Sequence, residues 1–184
     1  RKSARRAPKT RRRSSTGSAI AFSGCGASAI EPAPATRTTI AGLSGMVGTH
    51  LGYTSWHPIK QAQVDSFAEA TWDDQWIHVD VERAKAGPFG GTIVHGFLTL
   101  SLAPALLDEL LRVEDASRTI NYGLDRVRFP ATVPVGSRVR LGAELSSLEE
   151  VPGGVQAALA LTFELEGSAK PCCVGALLLR FVLD

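Results

Sequence analysis

The chain has 184 residues, 44% of them hydrophobic, with 20 Lys plus Arg against 18 Asp plus Glu and three cysteines, which excludes collagen-like, wholly disordered and disulfide-stapled chains. No uncharged apolar run reaches the ~18 residues of a membrane span, and the best candidate, residues 92–107, contains His95 and Pro104. Nine of the 20 basic residues fall at or before Arg37, where the only acid is Glu31, so residues 38–184 hold 11 basic and 17 acidic groups, a net of −6 that disfavours nucleic-acid binding.

Residues 1–38 are rich in Arg, Ser, Ala, Gly, Thr and Pro. Such a segment buries too little apolar surface to offset its ordering entropy, and a disordered tail is expected there. An organellar transit peptide or a twin-arginine export signal are its functional readings, and base stacking has little to work with, since no aromatic residue stands among its arginines. The folded domain is expected over 39–184. Cys25 lies in the tail; Cys172 and Cys173 are adjacent. Neighbours in a strand point to opposite faces, which leaves that pair badly placed to bridge or to share a metal and points to reduced cysteines in a cytoplasmic protein.

From Thr39 the texture changes. Residues 61–71 place Val64, Phe67 and Ala68 at helical spacing, and a short second helix is expected over 81–86, broken by GPFGG. Residues 95–112 read as a longer helix, apolar all round in its first half and therefore buried there, with Pro104 kinking or dividing it. Ile120, Tyr122 and Leu124 keep one strand phase and Val127 and Phe129 the other, which a bulge near Asp125 reconciles. Residues 139–145 and 155–165 alternate apolar and polar around the turn VPGG, an antiparallel hairpin with one buried face. Residues 173–183 are apolar on both faces apart from Arg180, as for a strand at the sheet centre or against another subunit. The pattern is α+β, a sheet wrapped over one helix.

The densest polar cluster is TWDDQWIHVD, residues 71–80. Asp73 and His78, five residues apart in an irregular loop, can converge on one water, the imidazole taking a proton while the carboxylate holds or shares another. Taken alone this spacing is weak evidence, because an Asp followed by a His is commonly a turn with a helix cap. The second element is IVHGF. The first N–H groups of a helix lack internal partners and face the positive end of its dipole, so Gly96 opens a helix whose start can hold a developing oxyanion, and the absence of a side chain lets a carbonyl approach.

WIHVDVERAKAGPFGGTIVHGFLTLSL, residues 76–102, resembles the signature of the MaoC-like dehydratases, the (R)-specific enoyl-CoA hydratases, which have the hot-dog fold. The family pattern is an Asp, four residues, a His, then roughly 17 residues later a His-Gly pair opening the central helix; Asp73, His78, His95 and Gly96 match it. INYGLDRVRFPATVPVGSRV, residues 120–139, resembles the family's second recurring stretch, and the likeness covers about 47–183, closest to small single-hot-dog members of actinobacterial type. The resemblance implies an antiparallel sheet around a central apolar helix. It also implies addition of water to a trans-2-enoyl-CoA, giving a (3R)-hydroxyacyl-CoA, or the reverse. Asp73 and His78 would be the catalytic dyad, the Gly96 N–H the thioester oxyanion donor, and Gln75 and His95 supports behind them. Acyl-CoA or acyl-carrier-protein thioesters would be the substrates of a homodimer. No cofactor beyond the CoA of the substrate and no metal are implied; His50 and His57 read as structural.

The chain departs from the pattern at Gln75 and Trp76, where many members have Asn and Pro, and at Ala103 and Pro104, where some place a hydroxyl near the acyl pocket. Competing readings are a hot-dog thioesterase and a noncatalytic acyl-binding subunit, since fold does not fix function. Thioesterases of this fold usually deploy a carboxylate from the central helix, whereas the polar groups here stand in the loop before it. Arg126, Arg128, Arg138 and Arg140 are candidates for the CoA phosphates, weighed against an ordinary solvated face.

Overall fold

The computed structural model describes residues 34–183. The expectations for most of the basic tail, Cys25 included, lie outside them. In chain order the elements are β1 (Thr36–Thr38), a 3₁₀ turn (Ala41–Met46), β2 (His50–Tyr53), β3 (His57–Pro58), α1 (Gln61–Thr71), α2 (Trp76–Val79), α3 (Val81–Lys85), α4 (Gly96–Ser101), α5 (Ala103–Leu107), β4 (Leu111–Val113), β5 (Arg118–Arg128), β6 (Arg138–Val151), β7 (Gly154–Leu165) and β8 (Pro171–Val182). The main sheet has the order β2-β6-β7-β8-β5, with β3 also on β6 and every pairing antiparallel.

The hairpin β6–β7 follows the alternation of its sequence. Val139, Leu141, Ala143 and Leu145 are buried on β6, as are Ala157, Leu159, Leu161 and Phe163 on β7, while Arg140, Glu144, Gln156 and Glu164 are not. Leu98, Leu100, Ala103, Leu106 and Leu107 of α4 and α5 join the same core cluster. The helix is thus the filling of a curved sheet, the hot-dog arrangement. Pro104 divides it as its ring requires: α4 ends at Ser101, and Pro104 enters the first turn of α5, where its missing N–H has no helical partner to lose. The bulge expected near Asp125 is present, with Arg126 at φ 51° between paired residues Asp125 and Arg128.

Three expectations are corrected. The central helix stops at Leu107, not Arg112, because Leu111–Val113 leave it to pair in parallel with Thr36–Thr38. The same ladder moves the tail boundary back: residues 36–38 belong to the folded unit, where Arg37 Nε donates to Glu114 Oε1 at 2.7 Å and the Ile40 N–H to Asp115 Oδ1 at 2.8 Å. Finally, Cys172 and Cys173 do not split between faces. Phe163 pairs with Cys173 but Glu164 with Pro171, so Cys172 is an extra residue in the strand, and both free thiols are buried. Burial pushes their pKa values up to about 11 and about 12, so both stay protonated and unreactive at neutral pH.

Candidate active site

α1 carries the first wall of the site and ends where its sequence breaks the helix. Trp72 caps it in the left-handed region, φ 61°, its N–H on the Ala68 carbonyl at 2.7 Å. That turn throws Asp73 into the loop as an exposed carboxylate. The loop re-enters a single turn of helix, α2, in which the buried His78 faces the core.

His78 is held in one tautomer. Its Nδ1 lies 2.7 Å from the Ile93 carbonyl oxygen; a carbonyl only accepts, so Nδ1 carries the proton and Nε2 keeps its lone pair. Burial lowers the His78 pKa below its ordinary value, and nearby His95 lowers it further; the Ile93 hydrogen bond and the Asp73 charge oppose both. Net, the ring is a neutral base near neutral pH.

His95, the residue before α4, lies face to face with His78, ring centroids 3.8 Å apart and planes 27° apart, and packs on Phe67 at 5.0 Å. Its Nε2–H donates to the Asp73 backbone carbonyl at 2.9 Å. Nδ1 of His95 is left buried without a protein partner among the described residues. One side chain therefore fixes both the backbone that presents the carboxylate and the plane of the other imidazole.

The carboxylate of Asp73 and one ring nitrogen each of His78 and His95 all lie within 4.8 Å of one another. By distance these three groups could hold a divalent ion. Their chemistry suits it poorly: imidazole lone pairs lie in the ring planes, and two stacked rings aim them alongside rather than at a common point. A water held between Asp73 and His78 needs only hydrogen-bond distances.

Gly96 begins α4, so its N–H has no acceptor within the helix. A side chain there has no room: a Cβ on Gly96 would stand 2.9 Å from Cγ of Phe129. The glycine is demanded by this packing as well as by the approach of a carbonyl. Gln75 contributes differently from the expectation. Its carbonyl accepts the His78 N–H at 2.9 Å, and its exposed side chain makes no hydrogen bond to the dyad. The side-chain support comes from a residue the sequence reading missed. Gln61, in the first turn of α1, donates from Nε2 to the His78 carbonyl at 2.7 Å, while its Oε1 accepts from Thr92 Oγ at 2.6 Å, next to Ile93. A glutamine 17 positions before His78 carries no local pattern, so nothing near the motif could have revealed it.

Arg138 pairs with Glu166, and Arg140 pairs with Glu164 between the rings of Tyr53 and Trp56. Both have structural partners. Arg128 reaches its neighbour Val127's carbonyl, and Arg126 sits on the bulge of β5. His57 and Ser55 both meet Glu109, a tie between β3 and the end of α5.

A sheet wrapped on a divided apolar helix, with a carboxylate and a tautomer-locked imidazole at that helix's start, is the architecture of a hot-dog hydratase. The chain belongs to the MaoC-like family: it matches the family described as "MaoC like domain" over residues 43–160. It is 51% identical over 148 residues to 3-hydroxyacyl-thioester dehydratase Z of Mycobacterium tuberculosis, covering 80% of this chain and 98% of that one. It is also 41% identical to nodulation protein N of Rhizobium meliloti, covering 72% of this chain and 84% of the relative. Among solved structures, the (R)-hydratase from A. caviae involved in PHA biosynthesis superposes with a TM-score of 0.61 at 25% identity, over 75% of this chain and 96% of that one.

Proposed function

We propose that the chain is a 3-hydroxyacyl-thioester dehydratase of fatty-acid metabolism, working in either direction between a trans-2-enoyl thioester and the (3R)-hydroxyacyl thioester. The observation that carries the reading is the pairing of an exposed Asp73 carboxylate with the unprotonated Nε2 of a tautomer-locked His78. In hydration the two hold one water beside C3 of the enoyl group. Its oxygen bonds to C3 as the dyad takes a proton; the C2–C3 π electrons move toward the thioester carbonyl, and a proton returns to C2 on the same face. The Gly96 N–H, opening α4, offers its hydrogen to the thioester oxygen as negative charge gathers there. No metal or organic cofactor enters this sequence of steps.

The helix speaks against the thioesterase alternative, since α4 and α5 contain no carboxylate. The carrier is CoA or acyl-carrier protein, which present the same thioester. The working form is a homodimer: β5 ends the sheet, and exposes Ile120, Tyr122 and Leu124 at 44%, 53% and 45%. No helix among the described residues is long and apolar enough to cross a membrane, and we place the enzyme in the cytoplasm.

The test is turnover of enoyl-CoAs with the configuration at C3 determined and released thiol measured in parallel. Formation of the (3R) alcohol without thiol release supports the reading. Thiol release would make the protein a thioesterase, and binding without turnover an acyl-binding subunit.

A further inference from the structure

A single amide ties α1 to both segments that hold the ring of His78. Gln61 projects from the first turn of α1, a helix fixed by the burial of Val64 and Ala68 and by the Lys60 N–H on Gln63 Oε1 at 2.8 Å. Its half-buried side chain gives one Nε2 hydrogen to the His78 carbonyl at 2.7 Å and the other to Asp65 Oδ1 at 2.8 Å. Its Oε1 accepts from the hydroxyl of buried Thr92 at 2.6 Å. This pattern leaves the amide one orientation: turned over, its oxygen would face a carbonyl and a carboxylate, neither of which donates. Both hydrogens of the amide are thus taken by the protein.

The consequence lies one residue further along. Thr92 precedes Ile93, whose carbonyl accepts the Nδ1 proton of His78. The tautomer of His78 therefore depends on how α2 stands against residues 92–94. The latter are pinned on their other side, by the Val94 N–H on the Val133 carbonyl at 2.8 Å and the Val135 N–H on the Thr92 carbonyl at 2.9 Å. The movable partner is α2, four residues long and too short a helix to hold itself. Among the described residues one backbone hydrogen bond joins it to that segment, from the Ile93 N–H to the Ile77 carbonyl at 2.9 Å. A single bond is a hinge. Gln61 supplies the second tie, with the His78 carbonyl at one end of its amide and the hydroxyl beside Ile93 at the other. Two ties stop the rotation that one allows.

We propose that Gln61 is a positioning residue of the reaction: through Thr92 it keeps α2 in register with Ile93, and so keeps the His78 proton on Nδ1 and the Nε2 lone pair free for the water. This rests on the dehydratase reading above. It goes beyond it by making the basicity of His78 depend on a side chain of another helix that has no hydrogen left for substrate. Without the tie the ring is free to carry its proton on Nε2, and the nitrogen aimed at the water then has nothing to accept with. The requirement is for an amide. A carboxylate in its place keeps the shape and the Thr92 bond, but sets oxygen against the His78 carbonyl and Asp65.

The experiment reads His78 directly, by nitrogen NMR of isotopically labelled histidine in the full-length protein well above pH ~6.5, where the ring is neutral. Of the four histidines, His78 is the one whose signals vanish in His78→Gln. kcat and KM for one trans-2-enoyl-CoA are measured beside it. In the wild type Nδ1 should carry the proton and Nε2 none. In Gln61→Met and Gln61→Glu the two nitrogens should move toward a shared, averaged position. There kcat should fall by about 10²-fold, the scale of a small misplacement of a catalytic group, with KM close to its wild-type value. Thr92→Val, which keeps the shape and removes the hydroxyl, should do the same, and Thr92→Ser should restore both; this pair decides the matter if the Gln61 variants do not fold. Folded variants that lose stability but keep the wild-type His78 spectrum would make Gln61 a structural tie alone and overturn the proposal. So would a fall in kcat with the tautomer unchanged, or a wild-type His78 already divided between tautomers. A wild type inactive on enoyl-CoA overturns the dehydratase reading, and the His78 spectra still decide whether Gln61 sets the tautomer.

Discussion

His78 has one proton to place, and its surroundings decide where. With Nδ1–H on Ile93, only Nε2 can titrate. Because burial first, and His95 second, hold its pKa below 6.5, the folded protein binds fewer protons there than the unfolded chain. Stability therefore rises with pH across that interval: the His78 contribution is complete above the unfolded value of ~6.5 and is lost as pH falls through the lowered folded one. Replacing His78 by Gln should flatten the pH dependence of the urea midpoint on the acid side of about 6.5, and the wild-type kcat/KM should keep its acid limb below that pH. An acid limb centred above it would mean that His78 is not the base. Gly96 gives a second residue-scale expectation. A methyl group 2.9 Å from Phe129 Cγ forces the ring aside, so Gly96→Ala should cost about 1–3 kcal/mol in denaturant unfolding. Phe129→Leu in the same chain should recover much of that loss. If Gly96→Ala is neutral in stability yet inactive, the glycine serves the substrate alone.

At the scale of elements, the short parallel ladder of β1 and β4 joins the N-terminal end of the described chain to the end of the central helix. Truncation after residue 33 keeps it, whereas truncation after residue 38 removes all three strand residues and Arg37, the partner of Glu114. The shorter chain should melt several degrees lower, since about 1 kcal/mol shifts Tm by ~2–8 °C in domains of this size range; equal melting temperatures would make the ladder ornamental. The elements that could be read in the sequence are those whose own pattern decides them. The β6–β7 hairpin alternates with period two against a single core, α1 has its apolar residues on one face, and the bulge in β5 declares itself by a switch of phase at Asp125. What could not be read depends on a distant partner. Leu110 and Leu111 continue the helical apolar pattern, and only Thr36–Thr38, themselves in a segment of disordered composition, draw Leu111 into a strand. The dyad was legible because Asp73, His78, His95 and Gly96 sit in one motif. Gln61 was not, because its bonds to His78 and Thr92 exist only after α1 packs on the loop.

Among the described residues β5 ends the main sheet, and large apolar side chains are exposed along it. In the proposed homodimer the outer edge of this strand, beside Ile120, Tyr122 and Leu124, meets a second copy across a two-fold axis. Light scattering at micromolar concentration should give twice the chain mass, and Ile120→Lys with Leu124→Lys should shift it toward one; a monomeric wild type would contradict this assembly. The reaction itself is put to the test by turnover of one enoyl-CoA in Asp73→Asn, His78→Gln and the double variant, each shown to be folded by circular dichroism. Each single change should lower kcat by about 10² to 10⁴, the usual range for a positioned acid or base. The double variant should be little worse than either, because both residues act on one water. Asp74→Asn, whose exposed carboxylate makes no hydrogen bond among the described residues, should retain most activity. Folded Asp73→Asn and His78→Gln proteins with wild-type turnover, or an Asp74→Asn protein that alone is dead, would show that Asp73 and His78 are not the catalytic pair.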